Sequence, residues 1–262
     1  AHLAALLPTA SERNPAATRA VNVEGTRRLV HALEASGRAV PFVLSSSCSV
    51  YGPDQPARGI AGPDDPIIGT DAYSNSKVEA EALLRSSSLA WVILRIGAAI
   101  EGSAAVTDAL VMRLMFEVNP ENPIEVVHGE DVATAVVNAL FRPEAHRRVF
   151  PIGGGPSCQL TQRELFATTL DLLGVGEFPA NAFGTSPYYT CWMDTRESQR
   201  VLGFQSHDIE AIKRDVAARV GPFGPLVRLF GPLTRRFLLR YSGPMRGDPA
   251  RPTWQELIDA GY

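Results

Sequence analysis

The chain has 262 residues, 45% hydrophobic and 20% charged, the make-up of a soluble globular protein long enough to bury a core without disulfides or metal. A net charge of -3 excludes a global pull toward nucleic acid or anionic membrane. Three scattered cysteines, Cys48, Cys158 and Cys191, form neither a CxxC nor a zinc spacing, so no metal site is expected and a reducing cytoplasm is the simplest compartment.

Ala1 to Pro8 is apolar, but no basic region precedes it and no long apolar one follows, so this segment is not expected to be a signal peptide. No later run approaches the roughly 18 uncharged residues of a membrane span. Asn22 to Ser36 carries Val23, Leu29, Val30 and Leu33 among charges, an amphipathic helix closed by Gly37. Val40 to Leu44 is a continuous apolar run, as for a strand covered on both faces. A Pro/Gly-rich loop from Gly52 to Thr70 leads to a helix over Tyr73 to Ser86, and Trp91 to Leu94 forms a second buried strand.

After Gly97 a helix is expected over Asp108 to Phe116, a strand over Ile124 to Val127, a helix over Glu130 to Phe141 and a strand over Val149 to Ile152. Gly153, Gly154 and Gly155 follow. Thr161-Gln162-Arg163-Glu164 spells a capping box before the apolar helix Leu165 to Leu173. A helix from Thr195 to Leu202 ends at Gly203. Alternating strands and helices of this kind predict an α/β fold with a parallel sheet. From Val220 the tail is punctuated by Gly-Pro pairs, with Leu226, Val227, Leu229, Phe230, Leu233, Phe237, Leu238 and Leu239 beside Arg228, Arg235, Arg236 and Arg240. We expect short helices packing back on the domain; the alternative is a basic amphipathic surface for peripheral contact with a membrane or a partner.

The chemistry points to Tyr73-Ser74-Asn75-Ser76-Lys77. Residues four apart share a helix face, so the phenol and the ammonium reach one small volume. A tyrosine near pKa 10 is a poor proton carrier at neutral pH, and a nearby cation is expected to lower it. Lysine has three donors, enough to hold a ribose as well. Upstream, Ser45-Ser46-Ser47 closes the first apolar strand, at the carboxyl edge where open α/β sheets bind ligands. A serine there donates to an oxygen whose charge changes during hydride transfer.

Strand, triple serine, Val50-Tyr51-Gly52, proline-rich loop and YxxxK together resemble the extended short-chain dehydrogenase/reductase (NAD-dependent epimerase/dehydratase) family. His2-Leu3-Ala4-Ala5 resembles its motif after the fourth strand, and Asn22-Val23-Glu24-Gly25-Thr26 its NxxGT helix start. Leu94-Arg95-Ile96-Gly97 resembles the strand that meets the nicotinamide. Val127 to Ala133, Val149 to Gly155 and Leu202-Gly203-Phe204 match later segments, so the likeness runs from residue 2 to about residue 204. It implies a Rossmann-like parallel sheet with a small C-terminal α+β substrate-binding region, and NAD or NADP as cofactor. Residues 1–100 would carry the dinucleotide-binding and catalytic part, 101–210 a mixed substrate-binding region, and 211–262 an extension. Tyr73 would be the general acid/base, Lys77 its partner and ribose ligand, and Ser47 the donor to the reacting oxygen. Ala4, Ala5, Leu44, Ser45 and Ile96 would line the cofactor, and Asn22 would help order the site. A homodimer through helices near the tyrosine is a further implication.

The family's opening strand, Gly-rich turn and helix have no counterpart before His2, and Cys158 spoils the Gly153-Gly154-Gly155 segment as a G-x-G-x-x-G. The chain is therefore expected to lack that N-terminal segment and, alone, to bind nicotinamide cofactor weakly or not at all. Cys48 and Ser49 stand where dehydratases carry Asp-Glu, Ala98 and Ala99 where sugar-nucleotide epimerases often carry asparagine, and only Arg113 is basic between Gly102 and Ile124. His128 is expected in a structural turn, Cys48 as buried filler, Asp64-Asp65 as solvated, and Asp131 as ordering its helix. The function expected is NAD(P)-dependent oxidation, reduction or epimerisation at a hydroxyl or keto carbon of a small substrate. The alternative is a non-catalytic protein that keeps the scaffold and docks through its tail.

Overall fold

The computed structural model describes residues 1–53, 59–100, 109–171, 174–220, 228–250 and 253–259. A parallel sheet forms its centre: β1 (Pro41–Ser47) pairs with β2 (Ala90–Ile96), which pairs with β5 (Arg148–Ile152). His2 adds a fourth lane by pairing in parallel with Leu44, its backbone bonding Val43 and Ser45. A second sheet joins β3 (Ala98–Ile100) in parallel to β4 (Pro123–His128), and β4 antiparallel to β6 (Gln159–Thr161).

Side-chain alternation sorts the main sheet's two faces. Phe42, Leu44, Trp91 and Ile93 pack against α1 (Thr26–Ala35) and α2 (Ala72–Arg85) through Val30, Ala80 and Leu84. Val43, Val92 and Leu94 face the other way. There they meet α4 (Gly129–Phe141) and α6 (Arg196–Leu202), with Ala135, Ala139, Val201 and Leu202 buried between. The fold is α/β with a Rossmann-like parallel sheet, as expected, and further helices and strands follow it.

The boundaries differ from the sequence expectations for local reasons. β1 and β2 run on through the serines and through Arg95, because both edges find ladder partners down to Ser47 and Ile96. The helix expected from Asn22 begins earlier, at Pro15–Thr18 with Asn14 as its cap, and passes through a π-helical turn, Arg19–Gly25, before α1. α3 (Ala109–Glu117) and α5 (Gln162–Asp171) match their expected helices, and Thr161 and Glu164 exchange the capping-box bonds. Asp108, Leu172, Leu173, Leu226 and Val227 lie outside the described residues. α7 (Ile209–Val220) had no counterpart in the sequence reading; Asp208 caps it by accepting the Ala211 N–H at 2.7 Å. The tail forms α8 (Gly231–Leu238) and α9 (Trp254–Asp259), with shorter turns between.

Buried Glu125 on β4 ties the two sheets, accepting from Met193 N, Gln159 Nε2 and Gly155 N. A Cβ at Gly153 would lie 2.1 Å from its Oε1, and Gly155 sits at φ +82, so both positions require glycine. This triple glycine is a sheet-to-sheet contact.

Candidate active site

The carboxyl edge of the main sheet gathers the expected residues. Ser47 ends β1 and is the register partner of Ile96. Tyr73 and Lys77 lie one turn apart on α2, both buried, with the ammonium 5.6 Å from the phenol ring centroid. Lys77 Nζ donates to the Ser45 carbonyl at 2.8 Å. Burial pushes the Tyr73 phenol up to about 12, a hydrogen bond with Ser47 opposing it. Burial pushes the Lys77 ammonium down to about 8, against the pull of Glu81.

This corrects one electrostatic expectation. Tyr73, Ser47 and Lys77 do converge, yet the phenol is raised, not lowered. Lys77 lies beside the ring and spends a donor on the Ser45 carbonyl, and the phenol is raised by its own burial, with Cys48 and Asp71 adding to it.

The helix start that carries Tyr73 is unusually well capped. Ala72 N and Tyr73 N donate to the two carboxylate oxygens of Glu12, at 3.0 and 2.9 Å. Ser74 N bonds Asp71 Oδ1, Asn75 N bonds the Asp71 carbonyl, and Ser74 Oγ accepts from Asp71 N. The first turn therefore leaves none of its four orphan donors open. Burial, with Asp71 adding to it, raises the Glu12 carboxyl, while its hydrogen bonds pull it back. Sequence reasoning missed Glu12, since nothing local links it to a helix sixty residues on.

Behind Lys77 lies a second polar group that was not anticipated. Ser46 and Arg95 are register partners that point toward α2, and both bind Glu81. Ser46 Oγ donates to Oε1 at 2.6 Å, and Arg95 makes a bidentate pair at 3.0 and 2.9 Å. Side-chain exposure is 1% for Arg95 and 0% for Glu81, so the pair is fully desolvated. Arg95 also stacks on Tyr51, 4.9 Å from its centroid. The sequence held a signal: a charge inside an apolar strand needs a buried partner, and Glu81 lies one turn beyond Lys77.

The cofactor-lining candidates divide. Ala4 is exposed, while Ala5, Ser45 and Ile96 are half-buried along the open edge. Leu44 turns its side chain into the core, leaving only its backbone at the edge. Asn22 sits behind the edge. Its amide holds Leu6 by both N–H and C=O and donates to Ser76 Oγ at 2.9 Å, so it ties the backbone at Leu6 to α2. Among the described residues Lys77 uses one of its three donors, leaving two for a vicinal diol; with Ser47 and Tyr73 alongside, this donor set fits a nicotinamide ribose.

The other singled-out residues are structural. Cys48 is buried as a free thiol beside that of Cys191, which is pushed well up by their hydrogen bond and by burial. His128 caps α4, its Nδ1 accepting the Glu130 N–H and its Nε2 facing Asp215 at 3.0 Å. His128, Glu130 and His207 lie close enough to share a metal ion, but both nitrogens of His128 are already engaged. Asp131 holds the 206–208 turn by accepting Ser206 N, His207 N and His207 Nδ1. Asp65 accepts the Gly62 N–H in its loop. Two tyrosines not flagged before, Tyr188 and Tyr189, share a 2.7 Å hydroxyl bond, and Trp254 donates to Tyr189. Burial raises both of these phenols well above their ordinary value.

The sequence profile of the NAD dependent epimerase/dehydratase family matches residues 1–153, and the chain belongs to that family. No curated protein gives a significant sequence match. Solved structures share the fold. A short-chain dehydrogenase/reductase superfamily protein from Agrobacterium tumefaciens with bound NAD is 20% identical, with a TM-score of 0.70 over 89% of this chain and 81% of that one. RMD from Pseudomonas aeruginosa, complexed with NADPH, is 20% identical with a TM-score of 0.67, covering 84% of this chain and 81% of that one. A UDP-glucose 4-epimerase from Thermotoga maritima with UDP-glucose is 19% identical with a TM-score of 0.65, covering 82% and 74%.

Proposed function

We propose that the chain is an NAD(P)-dependent oxidoreductase or epimerase acting on a hydroxyl or keto carbon of a sugar-nucleotide-like or other small substrate. The observation that carries this reading is the meeting of Ser47, Tyr73 and Lys77 at the carboxyl edge of a parallel sheet. A bound nicotinamide would supply or accept the hydride. Tyr73 gives its proton to the carbonyl oxygen in reduction and takes one from the hydroxyl in oxidation. Burial keeps the phenol protonated, which suits the reductive half. Ser47 donates to the same oxygen as its charge builds. The two remaining donors of Lys77 hold the ribose hydroxyls.

Residues 1–100 supply this machinery in our reading, and residues 101–210 the substrate side. The NAD, NADPH and UDP-glucose bound by the structural relatives support the cofactor class and bring sugar nucleotides into consideration as substrates. The test is a panel of secondary alcohols, ketones and sugar nucleotides with NAD or NADP, using the full-length protein and its Tyr73→Phe variant. A cofactor-linked conversion that falls by about 10²-fold or more in the variant is expected. Conversion that is equal in the two proteins refutes the role.

A further inference from the structure

On α8 the usual arrangement of a surface helix is reversed. Leu233, Arg236, Phe237 and Arg240 recur at i, i+3, i+4 and i+7, and Leu229 and Phe230 continue the same stripe one turn earlier. This stripe faces outward: Leu229 is 72% exposed, Leu233 64%, and Phe230 and Phe237 50% each. The opposite side is anchored. Leu238 is buried among Phe116, Phe166, Phe178 and Phe183, and Gly231 lies against the backbone of Gly174. Just beyond, Ser242 donates to the Ala182 carbonyl at 2.6 Å. The helix is thus seated on the domain, and it and the two residues before it still present four large apolar side chains to water. Scattered apolar residues on a surface are ordinary, whereas a contiguous row marks a contact surface.

The charge pattern selects the partner. Residues 228–246 contain five arginines and no acidic residue, in a chain whose net charge is -3. Arg236 and Arg240 are exposed within the stripe, and no described acidic residue pairs with them. An apolar row edged by guanidinium groups matches a bilayer surface, where rings and aliphatic chains enter the acyl boundary and arginines reach the phosphates.

We propose that α8 and its flanks dock the protein peripherally on an anionic lipid surface, with Leu229, Phe230, Leu233 and Phe237 inserted and Arg236 and Arg240 at headgroup level. Docking of this kind lies flat on the membrane and requires no span; among the described residues no helix is long and apolar enough to cross one. The inference stands independently of the catalytic reading.

Sedimentation with phosphatidylcholine vesicles carrying about 30% phosphatidylglycerol tests it, pure phosphatidylcholine serving as the comparison. The chain should pellet with the anionic vesicles and be released by about 0.5 M salt. Leu233→Ser with Phe237→Ser should lower the bound fraction about tenfold or more. Arg236→Gln with Arg240→Gln should weaken binding to anionic vesicles as well, and this pair decides the matter if the serine variant fails to fold. A chain that stays in the supernatant with anionic vesicles overturns the proposal, as does undiminished binding by the arginine variant. Light scattering that shows a dimer dissolved by the serine substitutions assigns the face to a second copy of the chain and overturns it equally.

Discussion

The sheet edge around α2 and the surface of α8 treat polar and apolar groups in opposite ways. At the edge, Lys77, Glu81, Arg95 and Glu12 are all buried, and each has a named partner at hydrogen-bond distance. Along α8 and just past it Arg236 and Arg240 are exposed with no described acid paired to them, and the large apolar side chains stand beside them. Desolvated polar groups hold each other in one geometry, because losing a partner inside the protein is expensive. An apolar row left in water has the opposite logic: it contributes nothing to the fold until something covers it. Substitutions in the first region should therefore damage turnover, and folding too wherever they strand a buried partner, while those in the second should spare both.

The largest effect is expected from Lys77→Met, with turnover reduced by about 10²-fold or more. Its stability effect should run the other way. Burial holds the folded Lys77 at about 8, below its ordinary 10.5. Between those values the folded state binds fewer protons than the unfolded one, so wild-type stability rises with pH across that window. The methionine variant should melt higher than wild type near neutral pH, and its margin should shrink as pH rises from about 8 to about 10.5. Melting curves across that range check the sign.

Next comes Glu81→Ala, which strands the Arg95 guanidinium between β2 and α2. A loss of about 3–5 kcal/mol in denaturant unfolding is expected, and a loss under about 1 kcal/mol would show that the pair is not desolvated as described. Glu12→Ala frees the Ala72 and Tyr73 N–H groups and should cost about 1–2 kcal/mol. Turnover should fall with it, since the same carboxylate fixes the backbone of Tyr73. The smallest effect is expected on α8, where Leu233→Ser should shift unfolding by no more than about 0.5 kcal/mol while reducing vesicle binding. A larger shift would mean that the row packs on the protein.

The sequence disclosed these regions unequally. Ser47, Tyr73 and Lys77 were legible because each sits at a fixed place in local structure: the end of an apolar strand, or one turn apart on a helix. The strands were legible in position but came out short, since an expectation built on apolar runs stops at Ser45 and Arg95 while the ladder continues. Glu12 was invisible because its role depends on a one-turn helix, Ala10–Arg13, packing against the start of a helix far along the chain. The short strands β3 and β6 escaped for a related reason, three residues being too few to show a period. α7 did carry a signal in Asp208 followed by Ile209, Ile212 and Val216, an N-cap with an apolar stripe. The raised Tyr73 phenol could not have been foreseen from spacing, because spacing brings a cation near but does not measure desolvation.

The central claim is that Tyr73 and Lys77 act as one device. Turnover of the Tyr73→Phe and Lys77→Met variants, measured singly and together on one converted substrate, tests it most directly. If the pair is a unit, the double variant is scarcely slower than the worse of the two single ones. If the two losses multiply in the double variant, the residues act separately and the account is contradicted.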